Sequence, residues 1–454
     1  MLKSLVNKYN IAGPRYTSYP TVPYWNNETF SLKKWKSSLI QSFNESNSKE
    51  GISLYIHLPF CESLCTFCGC NKRITKQHNV ESPYINAVLK EWQLYLELFN
   101  EKPVIKELHL GGGTPTFFSP ENLKHLITEI LRKSEVAINP EFSFEGHPNN
   151  TTREHLQALY DVGFRRVSYG VQDYNETVQK AIHRIQPFEN VKKATELARE
   201  IGYTSVGHDI IFGLPFQTLK HVEETILKTK ELLPDRLAFY SYAHVPWIKG
   251  NGQRGFNDND LPSPEEKRNQ YELGKKLLAE VGYEEIGMDH FALTSDSLYK
   301  SMDNGNLHRN FMGYTASKTQ AMIGLGVSSI SDSWYGFAQN VKGIESYYNL
   351  LEENIIPVFR GHILNSEDLI IRKHILNLMC RFETSWTMDT LYFKELPDVL
   401  IRLKEMEIDG LLNIFNNKIE VSKKGQPFVR NICMAFDVLL QRKQPNTQLF
   451  SMTV

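Results

Sequence analysis

Three cysteines, Cys61, Cys65 and Cys68, stand in a C-x3-C-x2-C spacing on one short stretch, Cys-Glu-Ser-Leu-Cys-Thr-Phe-Cys-Gly-Cys-Asn, which ends at Asn71. The stretch follows directly on an apolar run, Leu54 to Phe60, that reads as a buried strand. Three thiolates on one loop can each hold one iron of a [4Fe-4S] cube and leave the fourth iron open to a non-protein ligand. Zinc suits the pattern poorly. Structural zinc takes four closed ligands in paired clusters, and Cys70 lies too close behind Cys68 for easy chelation. A disulfide framework belongs to small secreted chains dense in cysteine, and six cysteines in 454 residues are not dense. A single nucleophilic thiol would leave two cysteines without a role.

The elements that must position this loop follow from the pattern around it. Strand-like runs recur near Leu54–His57, Glu107–Leu110, Phe142–Glu145, Val167–Gly170, His208–Phe212 and Leu237–Tyr242. Helical patterns separate them, at Tyr84–Leu98, Pro120–Arg132, Arg153–Val162, Phe188–Ile201 and Leu219–Leu232. Repeated βαβ units imply a parallel sheet with right-handed crossovers, and six units predict an α/β partial (β/α)6 barrel of TIM-like type. In such folds chemistry sits at the carboxyl ends of the strands. The cysteine loop follows the first strand and Gly111-Gly112-Gly113-Thr114-Pro115-Thr116 the second. Glu145 closes the third and Gln172 follows the fourth. Asp209 lies in the fifth, while Ala243 and His244 follow the sixth.

The chain divides into an N-terminal arm and helix over 1–50, the barrel with an extension over 51–364, and a mainly helical C-terminal domain over 365–454. The arm is irregular, with Pro14-Arg15-Tyr16-Thr17-Ser18-Tyr19-Pro20 followed by an amphipathic helix from Ser31 to Phe43. Pro262–Val281 predicts a further helix, and the glycine- and serine-rich Ala316–Trp334 a return to the active-site face. The last region predicts helices at Asp368–Met379, Thr387–Tyr392 and Val399–Glu407, then paired strands within Leu411–Val421, an arrangement like a winged helix. Cys380 and Cys433 are expected as buried thiols. Acidic and basic residues nearly cancel, to a formal charge of -1, so nothing points to nucleic acid or an anionic membrane. No apolar run approaches the roughly 20 residues of a membrane span. Met1–Tyr9 does not read as a secretion signal, so a reducing cytoplasm is expected.

Taken together, the cysteine loop, the glycine run and the six-unit pattern resemble the radical S-adenosylmethionine (SAM) enzymes. More narrowly, the chain resembles the oxygen-independent coproporphyrinogen III oxidase (coproporphyrinogen dehydrogenase) family over essentially its whole length. The narrower likeness rests on Pro14–Pro20, on the Cys-Gly-Cys-Asn of the loop and on Gly170-Val171-Gln172-Asp173. It rests also on Gly287-Met288-Asp289-His290-Phe291, Leu307-His308-Arg309-Asn310-Phe311 and Arg430-Asn431-Ile432-Cys433-Met434.

The resemblance implies a [4Fe-4S] cluster on Cys61, Cys65 and Cys68 and two SAM molecules. The open iron would bind one SAM, and cleavage to a 5′-deoxyadenosyl radical would begin the reaction. Tyr55, Gly112, Glu145, Ala243 and Ile330 would surround the SAM on the cluster, with Tyr55 counted among the catalytic residues. Phe67, Gly113, Thr114, Gln172, Arg184 and Asp209 would surround the second. The implied reaction turns the ring A and B propionates of coproporphyrinogen III into vinyls, giving protoporphyrinogen IX in haem biosynthesis. Arg15 with Tyr16 and Tyr19 would offer a propionate a cation and the macrocycle flat surfaces. An electron donor of flavodoxin or ferredoxin type and a monomeric state are also expected, with no nucleic-acid or membrane partner.

Two stretches depart from the family pattern. Gly146-His147-Pro148 follows Glu145 where an apolar residue, Asp and Pro are expected, and Gly207-His208 precedes Asp209 where Asn or a small apolar pair is expected. His147 and His208 are expected as neighbours across adjacent strands. A haem chaperone of radical-SAM type, a haem-degrading radical SAM methyltransferase and a non-catalytic iron-sulfur scaffold stay open as alternatives.

Overall fold

The computed structural model describes residues 2–246, 253, 255–443 and 449–453, with side chains from residue 5 onward. Among these residues, one twelve-stranded sheet organises the molecule. Its middle is six parallel strands paired in chain order: β1 (Ile52–Leu58), β2 (Val104–Gly112), β3 (Glu135–Gly146), β4 (Arg166–Gln172), β5 (Ser205–Phe212) and β6 (Arg236–Ser241). Helices Glu81–Leu96, Pro120–Arg132, Arg153–Asp161, Phe188–Ile201 and Leu219–Leu232 carry the chain between them, and Pro264–Ala279 follows β6. This is the partial barrel that the βαβ pattern predicts.

Along these strands side chains alternate with the period of two that the pleat imposes. Leu54, Ile56, Leu108, Leu110, Phe142, Phe144, Val167 and Val206 are buried against the helix residues Val88, Trp92, Leu126 and Leu156 in the largest core. The intervening positions, among them His109, Ser143, Glu145, Arg166, Ser168, Asp209 and Arg236, line a polar cavity of about 120 Å3 inside the barrel. Stability therefore comes from the outer face of the sheet, and the inner face is left for chemistry.

The sheet is longer than the barrel. At the β6 edge a hairpin of β7 (Tyr283–Gly287) and β8 (His290–Leu293) adds antiparallel strands. At the other edge β9 (Ala321–Leu325) runs parallel to β1, followed by antiparallel β10 (Ile330–Asp332), β11 (Gly336–Asn340) and β12 (Val358–Ile363). The stretch read only as a glycine- and serine-rich return thus holds two strands; all five residues of β9 are buried.

In the C-terminal region, helices Ser366–Arg381, Leu396–Ile408 and Val429–Phe436 surround a three-stranded antiparallel sheet of Glu383–Ser385, Leu412–Ile414 and Lys418–Val421. The helix expected at Thr387–Tyr392 is instead a tight turn. Thr387 and Thr390 exchange backbone bonds, their hydroxyls meet at 2.8 Å, and Thr387 Oγ1 accepts from Thr390 N at 3.1 Å. Threonine hydroxyls that bond the local backbone compete with helix formation in this way.

The first fifty residues are more ordered than their composition suggests. A helix covers Leu2–Tyr9, and Leu32–Ser46 forms a second helix, with the Ser31 side chain accepting from Lys34 N. Trp35, Leu39 and Phe43 of the second helix join the barrel core. Tyr16 and Tyr19, by contrast, are only 2% and 1% exposed and pack with Ile371, Ile375 and Ile432 of the C-terminal region. Tyr16 also donates to Asp437 Oδ2 at 3.2 Å. Neither ring offers a free surface to a macrocycle, which corrects that part of the expectation for the arm.

Arg430 clasps the arm. Its buried guanidinium donates to the carbonyls of Gly13, Pro14 (2.9 Å), Met452 (3.0 Å) and Thr453 (3.3 Å). Arg430→Met leaves these carbonyls without their charged donor, at a cost of about 2 kcal/mol. That corresponds to a roughly thirtyfold larger open population, which limited proteolysis reads directly. Cleavage between Asn10 and Pro20 should accelerate by that order; an unchanged rate would mean that apolar packing alone holds the arm.

Candidate functional site

A cavity of about 310 Å3 opens where the carboxyl ends of the barrel strands meet the cysteine loop. Cys61, Cys65 and Cys68 all line it, together with Phe67, Gly112, Gly113, Thr114, Glu145, Gln172, Arg184 and Asp209. Residues up to about 150 apart in sequence are brought to one edge by the sheet: Gly112, Glu145 and Gln172 lie at the ends of β2, β3 and β4, Asp209 lies on β5, and the cysteines, Thr114 and Arg184 lie on the segments that follow the strands.

The loop is held at several points. Gly113 N and Thr114 N donate to the carbonyls of Leu58 and Phe60, at 2.8 and 3.0 Å, and lock the glycine run onto the end of β1. Cys61 Sγ lies 3.3 Å from Thr114 Oγ1, and Arg184 Nη1 points at Cys65 Sγ from 3.7 Å. Lys72 Nζ donates to the carbonyls of Cys68 (3.1 Å) and Cys70 (3.3 Å). Burial pushes the Cys61 thiol up to about 11, while a hydrogen bond with Cys70 lowers that of Cys68. All six cysteines are free thiols.

This donor set fits a cluster better than a single ion. Among the described residues, no three His, Cys, Asp or Glu side chains converge closely enough to hold one metal. Thiolates that each take a different iron stand further apart, and the nearby Lys72 and Arg184 cations offset the negative charge of a thiolate-bound cube.

On the β1–β3 side, two histidines that sequence reasoning passed over orient the candidate ligands. His57 Nε2 lies 2.8 Å from the carbonyl of Asn71, so it carries the ring proton, and burial lowers the His57 pKa so that the ring is neutral. Its Nδ1 is then an acceptor for the Tyr55 hydroxyl at 3.2 Å. The Tyr55 ring stacks on His109, with centroids 6.0 Å apart. His109 reaches Ser143 Oγ at 2.7 Å and Glu145 Oε1 at 3.5 Å. Burial pushes the Glu145 carboxyl upward, but His109 and the Gly112 N–H outweigh it and hold the group below its ordinary range. Gly112 is required here: it has φ +111, and a Cβ would stand 2.7 Å from the His57 ring.

On the β4–β5 side, Arg184 Nη2 donates to Gly170 O at 2.7 Å, and its Nε, though buried, has no partner. A Cβ on Gly170 would come within 2.5 Å of Gln172 Nε2 and 3.0 Å of Arg184 Nη2, so a bare backbone makes room for both. Ser168 Oγ donates to Asp209 Oδ1 at 3.1 Å. Burial, and then the charge of Glu145, push the Asp209 carboxyl up to about 7.

Tyr55, Ala243 and Ile330 lie beside the cavity rather than on its wall. Tyr55 pairs with Gly324 of β9, against which the Ile330 carbonyl packs. The Ala243 carbonyl accepts from Gln253 Nε2 at 2.8 Å, and the same nitrogen reaches the carbonyl of Phe67 at 3.4 Å. Gln253 thus ties the loop after β6 to the cysteine loop; its sequence surroundings carry no signal of this. The two departures are not neighbours: β4 lies between them. His208 is buried and bonds Thr195 Oγ1 at 3.0 Å on the helix layer, whereas His147 lines the cavity and accepts from Asn149 N at 3.2 Å.

Comparison with known proteins gives a consistent picture. Residues 55–228 match the model of the radical SAM superfamily. The oxygen-independent coproporphyrinogen III oxidase of Synechocystis is 37% identical, with 99% of this chain and 97% of that protein aligned. The Escherichia coli protein of the same name is 38% identical over 97% of this chain and 96% of its own length. A solved structure of the coproporphyrinogen III oxidase from Escherichia coli, described as a radical SAM enzyme, superposes with a TM-score of 0.87. It is 36% identical and covers 93% of this chain and 97% of that one.

Proposed function

We propose that this chain, which belongs to the oxygen-independent coproporphyrinogen III oxidase family of radical SAM enzymes, converts coproporphyrinogen III to protoporphyrinogen IX by oxidative decarboxylation. It is an oxidoreductase of porphyrin and haem biosynthesis that uses a [4Fe-4S] cluster and SAM. The observation that carries this reading is the extent of the likeness: 99% of the chain aligns with an oxidase of this name, arm and C-terminal region included.

When bound, the cluster and SAM would supply the radical chemistry able to remove a hydrogen atom from the substrate. The chain itself contributes binding and exclusion of water. Cys61, Cys65 and Cys68 would hold three irons. Glu145, kept ionised by His109, can accept from an ammonium or ribose hydroxyl of the SAM on the cluster, beside Gly112, Ala243 and Ile330. Tyr55, its proton directed at His57, stays protonated because burial raises its pKa, and it would flank the SAM from beside the cavity. A second SAM would sit against Phe67, Gly113, Thr114, Gln172, Arg184 and Asp209. The free Nε of Arg184 supports this, since a guanidinium fork suits a carboxylate. A closed barrel mouth protects a radical from competing donors, which is the role proposed for the arm.

The division into 1–50, 51–364 and 365–454 belongs to the same proposal, as do a monomeric state and a cytoplasmic setting. No helix among the described residues is long and apolar enough to cross a membrane. Glu62, Ser63 and Leu64 of the cysteine loop are exposed, which supports electron entry there from a flavodoxin- or ferredoxin-type donor.

Reconstituted and reduced without oxygen, the chain should turn coproporphyrinogen III into a product lighter by two CO2 and four hydrogens, with 5′-deoxyadenosine formed alongside. Cys65→Ala should abolish both. SAM cleavage with an unaltered tetrapyrrole would contradict the assignment. For the second SAM, the sign follows from Asp209: its pKa, near 7, lies where protonation removes an acceptor. Affinity should therefore fall as pH drops below 7, by up to tenfold per unit, and Asp209→Asn should leave a single SAM per chain. Two molecules retained by Asp209→Asn in equilibrium dialysis would contradict the placement.

A further inference from the structure

A further, smaller cavity, of about 60 Å3, lies where the arm, the barrel and the C-terminal region meet. Cations dominate its wall: Arg15 from the arm, Lys267 and Arg268 from helix Pro264–Ala279, and Arg430 from helix Val429–Phe436. The two carboxylates there are already engaged. Asp289 Oδ2 accepts from Arg15 Nη1 at 3.2 Å, and Glu285 accepts from Tyr271 at 2.7 Å and from Lys275.

Donors remain in excess. Lys267 Nζ makes one hydrogen bond, to the Tyr242 carbonyl at 2.7 Å, and a lysine has three to give. The buried Nε of Arg268 has no partner, although its Nη2 meets Glu272. Arg430 commits its donors to four carbonyls and so contributes charge rather than contact. Burial and the neighbouring cations Arg15 and Arg430 push Lys267 down to about 8, as expected where positive charges crowd together.

The place matters as much as the charge. Arg15 Nη2 donates to Ser241 O at 3.4 Å, and Ser241 ends β6. Tyr242, bonded by Lys267, is next in the chain, and Ala243 beside the cluster cavity follows it. The cationic pocket therefore borders the same strand-end rim as the reacting centre.

We propose that this pocket holds a propionate carboxylate of the tetrapyrrole, anchoring it at the rim through residues of the arm, the barrel and the C-terminal region together. The inference rests on the function proposed above. That substrate carries carboxylates which survive the reaction, and a carboxylate can leave water only where charged donors replace its hydration. The cavity has room for such a group and a few water molecules, and none for a macrocycle or a SAM molecule.

The test measures binding of coproporphyrinogen III and of its tetramethyl ester by anaerobic ultrafiltration, with the bound fraction read as fluorescent porphyrin after oxidation. Lys267→Met and Arg15→Gln should each weaken the tetra-acid at least tenfold and leave the ester unchanged, while Lys267→Arg should restore tetra-acid binding to within about threefold of the parent. Equal affinities for parent and both variants would overturn the pocket, and so would an equal loss for acid and ester. Failure of the parent chain to bind the tetra-acid at all would instead overturn the function on which the pocket rests.

Discussion

The bond between His57 Nε2 and the carbonyl of Asn71, 2.8 Å long, joins the last part of β1 to the far end of the cysteine loop. Between those two residues lie all three candidate cluster ligands. The same contact settles which His57 nitrogen bears the proton, and through Nδ1 it directs the Tyr55 hydroxyl. Gly112 must lack a side chain because that ring occupies the space a Cβ would need. A loop that would otherwise be a mobile surface turn thus becomes part of the rigid strand edge, and the residues at the ends of β2, β3, β4 and β5 are set around it by sheet register.

Much of this was legible in the sequence. The six parallel strands followed from alternating βα patterning, because strands that bury one face against helices carry long apolar side chains at every second position. The intervening polar residues marked the inner face, and Glu145, Gln172 and Asp209 line one cavity for that reason. His57 and His109 share this alternation with Tyr55 and Glu145, so the signal for them was present but unused. What could not be read was contact between distant segments. Tyr16 and Tyr19 sit in a turn-rich arm that suggests a surface, yet their burial depends on helices more than 350 residues further on. Gln253 likewise reaches the carbonyl of Phe67, a partner 186 residues away that no local pattern encodes, whereas the turn at Thr387–Thr390 is local, and its paired threonines were a signal against a helix.

The likeness to coproporphyrinogen oxidases and the physical reading of the site meet at the same residues but carry different weight. The likeness assigns the chain to its family. The geometry explains why particular side chains suit the chemistry, through a carboxylate kept ionised by a histidine, a guanidinium with a free nitrogen, and cations beside three thiols. His147 lines the cluster cavity, whereas the His208 ring bonds Thr195 Oγ1 on the helix layer and Gly207-His208 border the cavity inside the barrel.

The most direct test of the centre is electron paramagnetic resonance of the anaerobically reconstituted and reduced chain, recorded with and without SAM, together with iron and sulfide content. A three-thiolate site predicts four irons and four sulfides per chain and a spectrum that changes when SAM is added, because one iron lacks a protein ligand. A cluster whose spectrum is indifferent to SAM, or a single bound metal in place of a cluster, would contradict the reading of Cys61, Cys65 and Cys68 on which the rest depends.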